Sequence, residues 1–266
     1  MRIAAPRRTA SVLQITDLHL LERPGAKLLG IDTTASLEAV LDVALAERQP
    51  AAMLVTGDIA HEPTVATYRR CLALLRQRFD GPLLCLPGNH DRLAPMLAAG
   101  LPTTPIVLDG WWLAGWDTHE DERPAARFDA ASWQALGDWV AQAGPNGIVA
   151  THHPPIDVDC PWLDKDKLPN ADELLQCLSK MASVKALVFG HAHQALDRRH
   201  GALPLLGTPS TCFQFRPRSD AFSIDDAAPG HRWLHLHDDG RVGTEVGRAQ
   251  GFPMTIDLSR RKPAAA

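Results

Sequence analysis

The chain has 266 residues, of which 45% are hydrophobic and 22% charged, an ordinary globular balance that excludes disordered, collagen-like and coiled-coil classes. Its net charge is −4 and no long lysine or arginine run occurs, so a broad nucleic-acid surface is not indicated. The unusual count is histidine: 12, against a single tyrosine.

In chain order, the basic start Met1 to Arg8 is followed by no long apolar stretch, so neither a signal peptide nor a membrane span is expected. Residues 12–15 (VLQI) read as a strand. Residues 36–48 place Leu37, Val40, Leu41, Ala44 and Leu45 at helical spacing. Residues 52–55 form a second strand, 67–79 a second helix and 83–86 a third strand. This rhythm points to an α/β sheet with parallel strands in the first half.

The middle adds strands at 111–115 and 148–150 and a helix at 131–142, then a helix at 171–181 and a strand at 186–189. The last third differs: 203–206, 211–215 and 233–237 are short strands without helices between them. Asp239-Gly240 is a hairpin turn to a strand at 241–246. No repeat or linker appears, so 1–266 is expected to be one domain with loose ends at 1–10 and 256–266. The five cysteines, at 71, 85, 160, 177 and 212, include no CxxC pair. They read as reduced, mostly buried thiols of a cytoplasmic protein.

Five apolar runs each stop at a loop bearing metal-capable side chains. The loops carry Asp17 and His19; Gly57 and Asp58; Gly88, Asn89, His90 and Asp91; His152 and His153; and Gly190, His191 and His193. Ligands in open α/β sheets bind at the carboxyl ends of strands, so the five clusters should converge. The donors are oxygen and nitrogen with no thiolate, which suits Fe, Mn, Zn or Co. They are too many for one ion. Two ions sharing a carboxylate would use them, and that arrangement clamps an in-line phosphoryl displacement.

Any one such residue alone is more simply a turn or capping residue. Five ordered clusters are not explained that way. Other histidines are read differently. His153 should face away from its neighbour's site. His235 and His237 alternate with leucines and should lie on an exposed face. His119, His200 and His231 read as surface residues, and His61 is given no role. Trp111 and Trp112 read as core. Trp162 is a candidate pocket wall, and residues 208–215 are either pocket lining or a plain core strand.

The set Asp17-x-His19, Gly57-Asp58, Gly88-Asn-His-Asp91, His152-x-Pro154 and Gly190-His-x-His193 resembles the calcineurin-like metallophosphoesterase signature, in order. Gln14-Ile-Thr-Asp-Leu-His-Leu20, Cys160-x-Trp-Leu-Asp164, Pro209-Ser-Thr-Cys-x-Gln-Phe215 and Ala227-Ala-Pro-Gly230 add a likeness to class III bacterial 3′,5′-cyclic-AMP phosphodiesterases. The resemblance implies a four-layer αββα sandwich of two mixed sheets. It implies that Asp17, His19 and His193 hold one ion, that Asn89, His152 and His191 hold a second, and that Asp58 bridges them. The ions would be Fe and/or Mn, with Zn or Co as alternatives. His90 would be the proton donor, with Asp91 fixing its ring. Asn89, His90 and His193 would also touch substrate.

The implied reaction is attack by a metal-bridging hydroxide on cyclic AMP, giving 5′-AMP and lowering the cellular cyclic nucleotide. Two divalent ions, two aspartates and one hydroxide sum to about +1, so the cavity would be locally positive in a negative chain. The implied partner is the small cyclic nucleotide, with no nucleic acid or membrane and a monomeric or homodimeric state. Competing readings are a phosphodiesterase for a glycerophosphodiester or a nucleotide-sugar lipid, and a non-catalytic scaffold. The scaffold predicts eroded donors, whereas all seven positions are intact.

Overall fold

The apolar runs are continuous where a strand with one wet face would alternate, the pattern of strands covered on both sides. The computed structural model describes residues 9–121 and 130–259. In order they form β1 (Thr9–Ile15), β2 (Lys27–Leu28), β3 (Ile31–Asp32), α1 (Thr33–Glu47), β4 (Ala52–Thr56), α2 (Val65–Arg78), β5 (Leu83–Leu86) and α3 (Leu93–Ala98). Then come β6 (Ile106–Leu108), β7 (Trp111–Gly115), α4 (Ala130–Ala143), β8 (Asn146–Ala150), a 3-10 turn (Asp164–Asp166), α5 (Ala171–Lys180) and β9 (Val184–Phe189). The last third holds β10 (Leu196–His200), β11 (Leu203–Gly207), β12 (Gly230–His237) and β13 (Val242–Arg248).

Two mixed sheets result, a five-stranded one in the order β13-β12-β1-β4-β5 and a six-stranded one in the order β10-β11-β9-β8-β7-β6. β1, β4 and β5 run parallel in the first, and β7, β8, β9 and β11 run parallel in the second. Successive residues sort into different layers, as the period of a strand requires. Leu54, Leu84, Leu113, Ile148, Val188 and Leu234 meet between the sheets. Their neighbours Met53, Val55 and Cys85 pack outward with Leu37, Leu41, Tyr68 and Leu75 of α1 and α2. Leu187, Phe189, Trp112 and Val149 pack outward with Val140 of α4 and Leu174 and Leu178 of α5. The architecture is therefore the expected αββα sandwich.

Arg232 fastens the two sheets. Its guanidinium, on β12, donates to the carbonyls of Leu196 and Gly207 at 3.1 and 2.9 Å and pairs with Asp197 at 2.8 Å, all on the other sheet. α1 starts three residues earlier than its periodicity predicts. Asp32 caps it, accepting from the N–H groups of Thr34 and Ala35 at 3.1 and 3.0 Å. Among the described residues no helix is long and apolar enough to cross a membrane.

Several expectations are corrected. Residues 211–215 are not a strand, and only Phe215 bridges, to Ile224. Side chains take the local backbone bonds instead: Ser210 Oγ accepts from Cys212 N–H at 2.8 Å, and the Gln214 amide accepts from Ser210 N–H at 3.1 Å and donates to the Ser210 carbonyl at 2.8 Å. Thr9 and Ala10, expected to be loose, pair with His237 and Leu236. Near the other end, Ile256 packs on the Ile31, Cys212 and Phe213 cluster. Asp257 N–H donates to the Leu29 carbonyl at 2.9 Å, and 1–8 and 260–266 lie outside the described residues.

His231 is buried, because β12 is an inner strand flanked by β1 and β13. His235 and His237 are half-buried for the same reason, bonded to Ser11 and Thr9 at 3.1 and 3.2 Å. The His119 side chain, only 5% exposed, sits between Asp117 and Asp121. Burial opposes its protonation, but bonds and charge from the two aspartates prevail and push its pKa up to about 9. His200 is exposed, and Trp111 and Trp112 are core, as expected.

Leu234 is fully buried between the sheets, whereas Leu97 is 50% exposed. Leu234→Ala should cost about 2–5 kcal/mol, read as a lowered urea midpoint. Leu97→Ala should stay within about 0.5 kcal/mol.

Candidate metal centre

The parallel strands β1, β4, β5, β8 and β9 deliver their carboxyl ends to one edge of the sandwich. The loops beyond them continue the pairing. Asp17 N–H donates to the Gly57 carbonyl at 3.0 Å, His19 N–H to Asp58 at 2.9 Å, and Gly190 N–H to His152 at 3.1 Å. Side chains complete the mesh. The Asp58 carboxylate accepts from His90 N–H at 2.9 Å, and that of Asp17 accepts from His191 N–H at 3.1 Å.

Turning the backbone this sharply requires left-handed conformations. Asp17, His19, Asp58, His191 and His193 have φ of 53°, 47°, 48°, 62° and 48°. Such conformations cost non-glycine residues about 1–3 kcal/mol each and cluster at functional sites. Gly57 needs its own freedom, with φ at 95° and the His152 ring where a Cβ would stand. Gly88 lies so close to Asp58 that a side chain would strike its main chain and carboxylate.

Two donor groups result. Asp17, His19, Asp58 and His193 offer atoms within 4.8 Å of one another, all buried. The Nε2 atoms of His19 and His193 face each other at 3.1 Å. His193 Nε2 lies 3.3 Å from Asp17, and His19 Nε2 lies 3.6 Å from Asp58 Oδ2. In the second group Asn89 Oδ1 lies 3.0 Å from His152 Nε2 and 2.9 Å from His191 Nδ1. His152 Nε2 is 3.4 Å from Asp58 Oδ1, so the two oxygens of Asp58 face different groups.

The tautomers tell what these atoms can do. His193 Nδ1–H donates to the Phe213 carbonyl at 2.8 Å, and His152 Nδ1–H to that of Thr56 at 2.9 Å. Their Nε2 atoms then carry lone pairs pointing at carboxylate or amide oxygens that are acceptors too. Converging lone pairs need a cation among them, and second-atom bonds to main-chain carbonyls are how metal-binding imidazoles are oriented. His19 Nδ1 and His191 Nε2 are buried without a hydrogen-bond partner. The donor set fits a metal.

Charge follows the same logic. Burial holds the His19 pKa well below its usual value and lowers that of His191 to about 3, so both stay neutral. Burial would raise Asp58, but the imidazoles around it, His152 foremost, and the bond from His90 N–H outweigh it and keep the carboxyl well below the usual range. Burial likewise opposes protonation of His152, yet Asp58 and Asp17 pull its pKa upward.

Two residues depart from expectation. Asp91 does not reach the His90 ring. Its buried carboxylate accepts from Gly88 and Ile59 N–H at 2.8 and 3.0 Å, from Ala60 N–H at 3.0 Å, and from the Tyr68 hydroxyl at 2.9 Å. Burial and the nearby Asp58 raise its pKa to about 6 against those backbone bonds. His153 does not turn away. It is buried, bonded to Thr118 at 2.8 Å, with its ring 5.1 Å from that of His191 and one donor atom within 4.8 Å of those of His152 and His191.

His90 itself is exposed at the cavity, its ring 4.9 Å from that of His19. His61, given no role from sequence, stacks on His90 at 5.1 Å and groups with it and His19. Its place four residues after Gly57, on the same strand-end loop as Asp58, was the available signal. A cavity of about 580 Å³ opens over both donor groups, lined also by Trp162, Phe213, Phe215 and Phe222.

Three comparisons bear on this arrangement. Residues 10–195 match the family model described as calcineurin-like phosphoesterase. A 3′,5′-cyclic adenosine monophosphate phosphodiesterase of Pseudomonas aeruginosa is 35% identical over 261 residues, covering 95% of each chain. Its counterpart in Escherichia coli K12 is 36% identical over 245 residues, covering 89% of each. A dimetal phosphatase from Danio rerio shares the fold, with a TM-score of 0.59 over 90% of this chain and 99% of that one, at 13% identity.

Tyr68 bonds Asp91 and accepts from Arg92 N–H at 2.9 Å. Tyr68→Phe should destabilise by about 1.5–3 kcal/mol, the range for bonds to charged groups, measured by urea titration. A loss under about 0.5 kcal/mol would mean that the loops do not depend on this carboxylate.

Proposed function

Since the chain belongs to the calcineurin-like phosphoesterase family, we propose that it is a dinuclear-metal phosphodiesterase that hydrolyses 3′,5′-cyclic AMP to 5′-AMP in the cytoplasm. The observation that carries the reading is the pair of donor groups sharing Asp58. The cyclic-AMP phosphodiesterases that match nearly the whole chain support the choice of substrate.

Asp17, His19 and His193 would hold one ion and Asn89, His152 and His191 the other, with Asp58 between them. Two divalent ions, Fe and/or Mn with Zn or Co as alternatives, supply Lewis-acid stabilisation of the phosphoryl charge and a water of lowered pKa. The donors come from both sheets, so in this reading residues 1–266 act as one domain.

The remaining work falls to the chain. Asn89 turns its amide oxygen to His152 and His191, which leaves its NH2 to bind a phosphate oxygen. His90 and His193 border the same cavity and complete the phosphate contacts. The 3′-alkoxide of ribose is a strongly basic leaving group and needs a proton. In this reading His90, exposed at the cavity and held through its own N–H to Asp58, gives one to O3′. Asp91 acts through the loop that carries His90 and does not touch its ring.

Asn89→Ala should lower the metal bound per chain, by elemental analysis, along with turnover. Unchanged stoichiometry and rate would overturn its assignment. His90→Ala should retain both ions and lose about 10²–10⁴-fold on cyclic AMP, the usual range for such an acid. The loss should be smaller on bis(4-nitrophenyl) phosphate, whose leaving group needs no proton. Equal losses on the two substrates would remove His90 from the acid role.

A further inference from the structure

The cavity over the donor groups has a second wall with no part in phosphate chemistry. Phe215 stacks on His193, ring centres 4.3 Å apart at 23°. Trp162 meets Phe215 edge-on at 4.8 Å, and Phe222 closes the group at 5.4 Å from Trp162 and 5.5 Å from Phe215. The wall thus begins on a candidate donor and runs outward along the cavity.

This wall is built from parts far apart in sequence and is held in place. Trp162 belongs to the loop after β8, and its indole N–H donates to Ser219 Oγ at 3.2 Å. The Cys160 thiol lies 3.3 Å from the Ser219 carbonyl, on the same turn. The Phe215–Ile224 bridge and the bond from Arg216 N–H to Ser223 at 2.8 Å shape the segment that presents Phe215 and Phe222. All three rings nevertheless stay partly exposed. Fixed aromatic surface left open beside the two polar donor groups marks a ligand site. A ligand that suits both halves is anionic at one end and flat and aromatic at the other.

We propose that this wall binds the nucleobase, with Trp162, Phe215 and Phe222 as specificity-determining contacts for the substrate. The inference rests on the cyclic-nucleotide reading above and deepens it. Stacking of a base on an aromatic side chain is worth about 1–3 kcal/mol and grows with the area of the rings. Purine cyclic nucleotides should therefore bind better than pyrimidine ones, and both better than a cyclic sugar phosphate without a base. Stacking is formed on binding and kept in the transition state, so it should act on KM and leave kcat nearly alone.

The test is steady-state kinetics on the metal-loaded protein with cyclic AMP, cyclic CMP and methyl riboside 3′,5′-cyclic phosphate, which has no base. In the unmodified protein KM should rise in that order. Trp162→Leu, and independently Phe222→Leu, should raise KM for cyclic AMP about tenfold, within the stacking range, and leave KM for the abasic substrate in place. Equal KM for cyclic AMP and the abasic compound in the unmodified protein would overturn the proposal. So would equal shifts on both substrates in both variants, which mark a structural effect.

Inhibition of bis(4-nitrophenyl) phosphate cleavage by 5′-AMP and by ribose 5-phosphate separates this proposal from the one it rests on. If no cyclic phosphate is turned over, yet 5′-AMP inhibits far better than ribose 5-phosphate and Trp162→Leu removes the difference, the wall stands and the assigned substrate falls. If the two inhibit alike, the wall falls.

Discussion

One buried carboxylate underlies the geometry of the centre. Asp91 gathers the N–H groups of Gly88, Ile59 and Ala60 and the hydroxyl of Tyr68, so the loops after β4 and β5 share a single anchor with α2. A carboxylate accepting several backbone bonds in a dry site is a strong constraint, because each N–H left unpaired there would carry its full desolvation cost. Above that anchor Asp58 and His19 hold left-handed backbone. Strain of that kind persists only where the surroundings over-determine it. The ladder between the loops after β1 and β4 supplies the rest of that determination.

The centre shows how electrostatics and burial divide the labour among similar residues. Burial keeps His19 and His191 neutral, which leaves them able to donate lone pairs. Asp58 stays ionised against the same burial because histidines surround it. Asp91, with no such ring of histidines, is pushed toward protonation and serves as a structural tie. Two aspartates close to one another thus take opposite roles from their neighbours alone.

The architecture was largely legible in the sequence, for a physical reason. Continuous apolar runs such as 83–86 and 186–189, set between turn signals, suit strands covered on both faces, and strands are found at Leu83–Leu86 and Val184–Phe189. The convergence of the five strand-end loops also followed from the direction of parallel strands. Features set by side-chain competition were less accessible. Nothing in the alternation of 211–215 shows that Ser210 and Gln214 will claim its backbone bonds. Asp91 looked like a partner of His90 because the two are adjacent, but adjacency along a turn does not fix where a carboxylate points. The burial of His231 depended on knowing that β12 has neighbours on both sides.

That placement of β12 bears on how the chain is made. β1 carries Asp17 and His19 at its end, and its second neighbour is β12, with Thr9 opposite His237. During synthesis β1 can meet β4 early, but its other edge stays open until β12 has emerged. Open edges of this kind invite pairing with other chains, and loops closed over so long a span form slowly. Asp17 and His19 leave the ribosome before the other donors, yet the strand that carries them is enclosed last. A growing chain would present Asp17 and His19 to free ions long before His191 and His193 exist to complete the group. Productive assembly must wait for β12.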